Sequence, residues 1–169
     1  YIVKFNSNGG RLWATYFGGL ADDPAYAVGI DASGDIVIAG VSYSLNLPVT
    51  AGTFQTSNAG AADGYLAKFS SAGALVWSTY LGGLGEDYAN GISVDPSGLV
   101  AVTGATTSVN FPVSPGAFQT TNAGVGDAFR VEPALVGDDR GLWRFAAAQR
   151  FCSAGDEGNG GKKQMTWDD

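Results

Sequence analysis

The chain says the same thing twice. "WATYFGGLADDPAYAVGIDASG" (13–34) returns as "WSTYLGGLGEDYANGISVDPSG" (77–98), a shift of 64 residues. Laid without a gap, residues 1–65 and 65–129 agree at about 29 of 65 positions. Repetition on this scale marks a structural unit that stacks on copies of itself, so the fold has to be read per unit. The match stops after Phe129, where "YLAKFSSAG" (65–73) has no counterpart in "FRVEPALVG" (129–137). Charge breaks at the same place. Residues 1–129 hold three basic side chains (Lys4, Arg11 and Lys68), and residues 130–169 hold six of the chain's nine. Two regions follow: a repeat region over 1–129 and a divergent tail over 130–169. The tail reads first as a frameshift or fragment edge, with a disordered or unrelated segment and a degenerate last blade as alternatives. Tyr1 reads as an artificial start. Within the tail, "RGLWRFAAAQRF" (140–151) is a candidate short helix.

One unit reads as strands. "GISVD" leads into "DPSG" (95–98), a type I turn pattern with Asp first, Pro second and Gly fourth. "LVAVTG" follows, as "DIVIAG" does after "DASG" (31–34), so each copy predicts a hairpin. A loop of about 20 residues comes next, and Pro48 and Pro112 argue against a central strand in it. "GYLAKF" (64–69) and "LVWSTYLGG" (75–83) make a second hairpin. Leu75, Trp77, Thr79 and Leu81 point to one side and Val76, Ser78 and Tyr80 to the other, which puts apolar groups on both faces. Four short antiparallel strands covered on both sides describe a β-propeller blade. The expected fold is all-β: about two antiparallel four-stranded blades of an incomplete propeller, then an irregular or partly helical tail. Two blades leave apolar faces uncovered, so the isolated chain is expected to be marginal or self-associating.

Composition removes several function classes. The formal net charge is −7, which disfavours nucleic acid and anionic membrane surfaces as partners. No stretch approaches the ~18 apolar residues of a membrane span. The chain has no His, so an ordinary Ser-His-Asp triad cannot be built within it. Its one Cys, Cys152, can form no internal disulfide and fits no metal-ligand spacing.

"GISVDPSGLVAVTG", "NFPVSPGAFQTTNAG", "DGYLAKF" and "LVWSTYLGGLGEDY" together resemble the bacterial seven-bladed β-propeller repeat, the SBBP family. The resemblance covers residues 1–129, about two repeats. It implies blades that pack on neighbouring blades within a secreted or cell-surface bacterial protein, with no catalytic residues to carry over.

The candidate ligand-binding residues are the acidic pairs after each Gly-Gly: Asp22 and Asp23 in one copy, Glu86 and Asp87 in the other. Paired loop carboxylates could hold Ca²⁺ or a sugar hydroxyl, although the calcium-loop ladder of alternating ligands is missing. The competing reading is that they cap or solvate a turn. Asp31 and Asp95 read as turn residues, and Asp63 and Asp127 as fixing loop geometry ahead of a strand. Trp13, Trp77, Tyr16 and Tyr80 read as core. No catalytic, metal or cofactor residues are expected. The function expected is a non-catalytic structural and interaction module taking a protein or carbohydrate ligand. The alternatives are a fragment of a glycoside hydrolase or polysaccharide lyase, or calcium-binding rim loops. Unlike residues at equivalent positions, which a catalytic centre needs, are few: Arg11 against Leu75 and Asp35 against Leu99.

Overall fold

A computed structural model describes residues 1–131. The proposed helix over 140–151 and Cys152 lie outside the described residues. Nine strands follow the chain: β1 (Ile2–Phe5), β2 (Arg11–Thr15), β3 (Ala25–Ile30), β4 (Ile36–Ser42), β5 (Asp63–Phe69), β6 (Leu75–Leu81), β7 (Asp87–Val94), β8 (Val100–Thr106) and β9 (Asp127–Val131). They form three antiparallel sheets in sequential order: β1-β2, β3-β4-β5-β6 and β7-β8-β9. There is no helix among the described residues. A shift of 64 maps β1-β2 onto β5-β6 and β7-β8-β9 onto β3-β4-β5. The all-β expectation holds, with one complete blade between the second half of one and the first three strands of another. β9 runs to Val131, paired with Val102, so the strand continues two residues past the point where the repeat breaks.

Each hairpin closes with the same device. In Asn6–Gly9, Asp31–Gly34, Ser70–Gly73 and Asp95–Gly98, the N–H of the last residue donates to the carbonyl of the first at 2.8–3.0 Å. The glycine then takes φ between +77° and +91°. A type I turn followed by a left-handed residue suits the twist of the flanking strands, and only glycine enters that region freely. The first residue supplies a side-chain acceptor: Asp31 Oδ1 accepts from the N–H groups of Ser33 and Asp35, and Asp95 Oδ1 from Leu99. Asn6 Oδ1 does the same for Asn8 and Gly10.

Alternation along the strands explains why β4 and β5 are apolar at nearly every position. Ile36, Ile38, Tyr65, Ala67, Phe69 and Tyr80 face the β1-β2 sheet and pack with Ile2, Trp13 and Phe17. Phe17 meets Phe69 edge to face at 5.5 Å and Tyr65 at 5.7 Å between ring centroids. Val37, Ala39, Leu66 and Leu81 face the other way, onto Ala89, Val100, Val102, Ile92 and Val94. β7 lies across β3, β4 and β5. Trp13 and Trp77 are half-buried at these junctions, and Trp13 Nε1 donates to Ser71 O at 3.0 Å. Tyr80 is buried as expected, but Tyr16 is 91% exposed and is not core. The difference is a cover. Tyr80 O–H donates to Ser44 O at 2.7 Å and accepts from Leu47 N–H at 2.9 Å. No described segment takes that place over Tyr16.

The cover is the loop over 43–62. It leaves β4, crosses the blade and runs beside the outer strand. Thr50 N–H donates to Ser78 O at 3.1 Å, and Tyr80 N–H donates to Gln55 O at 3.0 Å. Ser78 Oγ donates to Pro48 O. Backbone groups on the free side of β6 are thereby satisfied, which blunts an edge that would otherwise pair with another chain.

Candidate functional site

The acidic pairs sit where one blade hands the chain to the next. Gly18-Gly19 links β2 to β3, and Gly82-Gly83 links β6 to β7. Asp23 Oδ2 accepts from Gly19 N–H at 2.7 Å and from Ser44 Oγ at 2.8 Å, while its Oδ1 accepts from Ser42 Oγ at 2.5 Å. Asp87 Oδ2 accepts from Gly83 N–H and Ser108 Oγ, both at 2.7 Å. Asn46 and Asn110 extend the clasp by accepting from Leu20 and Leu84 N–H at 3.0 and 2.8 Å. Ser44 and Ser108 accept from Ala21 and Gly85 N–H. A short side-chain acceptor thus meets nearly every amide of the turn, so the turn is fixed in position.

The two members of each pair part company. Asp23 is half-buried and Asp87 fully buried, whereas Asp22 and Glu86 are exposed. Glu86 Oε2 accepts from Tyr88 O–H at 2.7 Å, and that bond, with a second one to Tyr43, raises the Tyr88 phenol above its ordinary value. Beside the exposed acids stand exposed apolar side chains at equivalent positions: Leu20 (94%) and Leu84 (68%), Leu45 (80%) and Val109 (78%). The clasp bonds Leu20 and Leu84 to the very loops that carry Leu45 and Val109. A repeated acid-and-leucine knob results, held rigidly on one rim. Among the described residues no group of three or more His, Cys, Asp or Glu is placed to hold a metal ion. A Ca²⁺ ion at Asp23 Oδ2 or Asp87 Oδ2 would also have to displace the N–H and O–H donors already on those oxygens.

One four-stranded sheet between two partial ones, packed face to face and joined by Gly-Gly clasps, narrows the choice of family. Residues 76–112 match the β-propeller repeat model, SBBP. The matched SBBP segment begins in β6, passes through the Gly82-Gly83 clasp and the β7-β8 hairpin, and ends at Pro112. It therefore spans a blade junction rather than one sheet. No curated protein matches the chain.

The remaining singled-out residues of the repeat region are also bonded within the fold. Asp31 accepts from Lys68 Nζ at 2.7 Å, and this ion pair lowers its carboxyl below the ordinary value. Asp35, the asymmetric partner of Leu99, lies 3.3 Å from the same ammonium and accepts from Ser71 N–H at 2.8 Å. Asp63 Oδ2 accepts from Gln55 Nε2 at 2.6 Å and Ala59 N–H at 2.8 Å, and Asp127 Oδ2 repeats this with Gln119 and Ala123. Each of these two aspartates opens a strand. Sequence reasoning missed Ser42, Ser44, Asn46, Ser108 and Asn110. Their signal was faint: Ser44 and Asn46 are identical between copies, but so are about half of the residues of that loop.

Proposed function

We propose that the chain is a non-catalytic scaffold segment of an extracellular or cell-surface bacterial β-propeller protein. Its acid-and-leucine rim serves as the contact surface for a protein or carbohydrate ligand. The observation that carries this reading is the rim itself: Leu20, Asp22, Leu84 and Glu86 are exposed on turns that a polar clasp holds rigid, and the copies are equivalent. Catalysis needs unlike groups converging on one bond, and here the equivalent polar side chains are bonded to their own backbone instead. Exposed leucines on a backbone that is already fixed lose less entropy on binding than leucines on a free loop. No helix among the described residues is long and apolar enough to cross a membrane.

The reading is tested by applying the full chain to an array of bacterial surface polysaccharides and glycoproteins, alongside a turnover assay on the same substrates. Retention is expected, without release of product. The double variant Leu20→Ser/Leu84→Ser is expected to abolish retention at an unchanged unfolding midpoint. Retention indifferent to that variant overturns the rim assignment. Product release that disappears in Asp22→Asn or Glu86→Gln overturns the non-catalytic one.

A further inference from the structure

Asp63 opens β5 and Asp87 opens β7, on neighbouring blades. A parallel bridge between Ala62 and Glu86 holds the two strand starts side by side, with Asp87 N–H donating to Ala62 O at 2.9 Å. Both aspartates are fully buried, at 0% exposure. Gly82 lies between them: a β-carbon there would fall 2.6 Å from Asp63 Oδ1 and 2.6 Å from Asp87 Oδ2. Each Oδ2 already accepts two hydrogen bonds, and each Oδ1 is buried with no partner.

Among the described residues no cation is bonded to either bare oxygen. β4, β6, β7, β8 and the 43–62 loop contain no Lys or Arg, and Lys68, at the far end of β5, is held by Asp31 and Asp35. Facing groups on these elements are the Tyr80 phenol on β6, raised by burial, and the uncharged Ser42 on β4 opposite Asp63. Glu86, before β7, is exposed and bonded to Tyr88. Two ionised carboxylates here would repel each other and leave two buried oxygens bare. Two free oxygens fall far short of the six to eight that Ca²⁺ takes. One proton suits the site better. It turns a bare carboxylate oxygen into a donor and removes one of two buried charges.

We propose that Asp63 and Asp87 share a single proton across the blade junction, so that neighbouring blades are held together more firmly in mild acid than above neutral pH. Burial first, and the Asp87 carboxylate after it, push Asp63 up to about 6 against the lowering effect of the Ala59 and Gln55 bonds. A carboxyl group raised on folding contributes stability that is complete below its unfolded value of 3.8 and is lost as pH rises through about 6. Asp31 works in the opposite sense. Its folded value is lowered, so its contribution fades only as pH falls below 3.8. The interval between pH 4.5 and 7.5 therefore reports on the pair.

Urea unfolding of the full chain across that interval, in EDTA, tests the proposal. The folded-to-unfolded ratio is expected to fall about 30-fold from pH 4.5 to 7.5. Asp63→Asn, whose amide can donate to Asp87 permanently, is expected to abolish the slope and to exceed the wild type in stability at pH 7.5. Asp127→Asn, with the same local bonds but no described buried partner, is expected to keep it. A flat wild-type profile, or a slope that survives Asp63→Asn, overturns the proposal. So does stabilisation by millimolar Ca²⁺ at pH 7.5 that needs both acids. Should the variant fail to fold, a carbon-13 titration of the Asp63 carboxyl in the wild type reads the site directly. A midpoint near 6 supports a shared proton, and one below 4 overturns it.

Discussion

Repeat-equivalent residues do unequal work, and Tyr16 and Tyr80 make the point. Removing the Tyr80 hydroxyl strands the buried Leu47 N–H and leaves Ser44 O only a long bond from Ser42 Oγ, so Tyr80→Phe is expected to destabilise the chain by about 1–3 kcal/mol. Tyr16→Phe, on an exposed ring, should leave the denaturant midpoint unchanged. Comparing the two midpoints checks both statements. At this scale much was legible in the sequence. Asp31, Asp95 and the following glycines announce their turns, because turn chemistry is local and the carboxylate acts on amides two to four residues away. The pairing of Asp63 with Asp87 was not legible. It spans 24 residues, has no period, and joins two side chains that each look complete within their own loops. A weaker signal was there in Ser42, replaced by Thr106 in the second copy. Ser42 donates to Asp23 Oδ1, whereas the Thr106 hydroxyl accepts from Ser108 N–H and Asp87 Oδ1 is left bare.

Strands and hairpins could be read because their alternation and their turns coincide. The loop over 43–62 could not. It carries no alternation, and its Pro, Gly, Ser and Thr content says only that it is irregular, yet it covers the outer edge of β6. Two backbone bonds grip the edge, from Thr50 N–H and to Gln55 O, and side-chain bonds of Thr50, Thr53, Gln55, Ser78, Thr79 and Tyr80 reinforce them. Thr50→Pro removes the first donor. Since a backbone bond is worth about 1 kcal/mol net, amide exchange at Tyr80 is expected to quicken about five- to tenfold. Exchange at Leu66 and Ala67, in the middle of the sheet, should not change. Equal acceleration at all three would mean that the loop and the blade open together rather than separately.

At the scale of the described molecule, the central sheet buries both faces at β4 and β5 but leaves one face of its edge strand β3 uncovered. Tyr26, Val28 and Ile30 on β3 are exposed on the side of the β1-β2 sheet, and a groove of about 270 Å³ runs between Tyr1–Val3 and Ala25–Val28. The chain as it stands is therefore expected to self-associate, and Val28→Ser/Ile30→Ser should shift sedimentation toward the monomer. A monomeric wild type at high concentration would count against this. Blade stacking itself follows from the two-sided apolar strands. A repeat of 64 residues fixes only the period; the phase follows from the order of hairpin, long loop and hairpin, which puts β3 to β6 in one sheet and changes sheets at the Gly82-Gly83 clasp. The glycine turns carry one more consequence, a kinetic one. All four hairpins close over four residues with the same device, so the first contacts each blade makes are near neighbours in the chain and cheap in loop entropy. Blades can then nucleate independently and dock as they emerge from the ribosome, with the slow step falling on docking rather than on strand pairing.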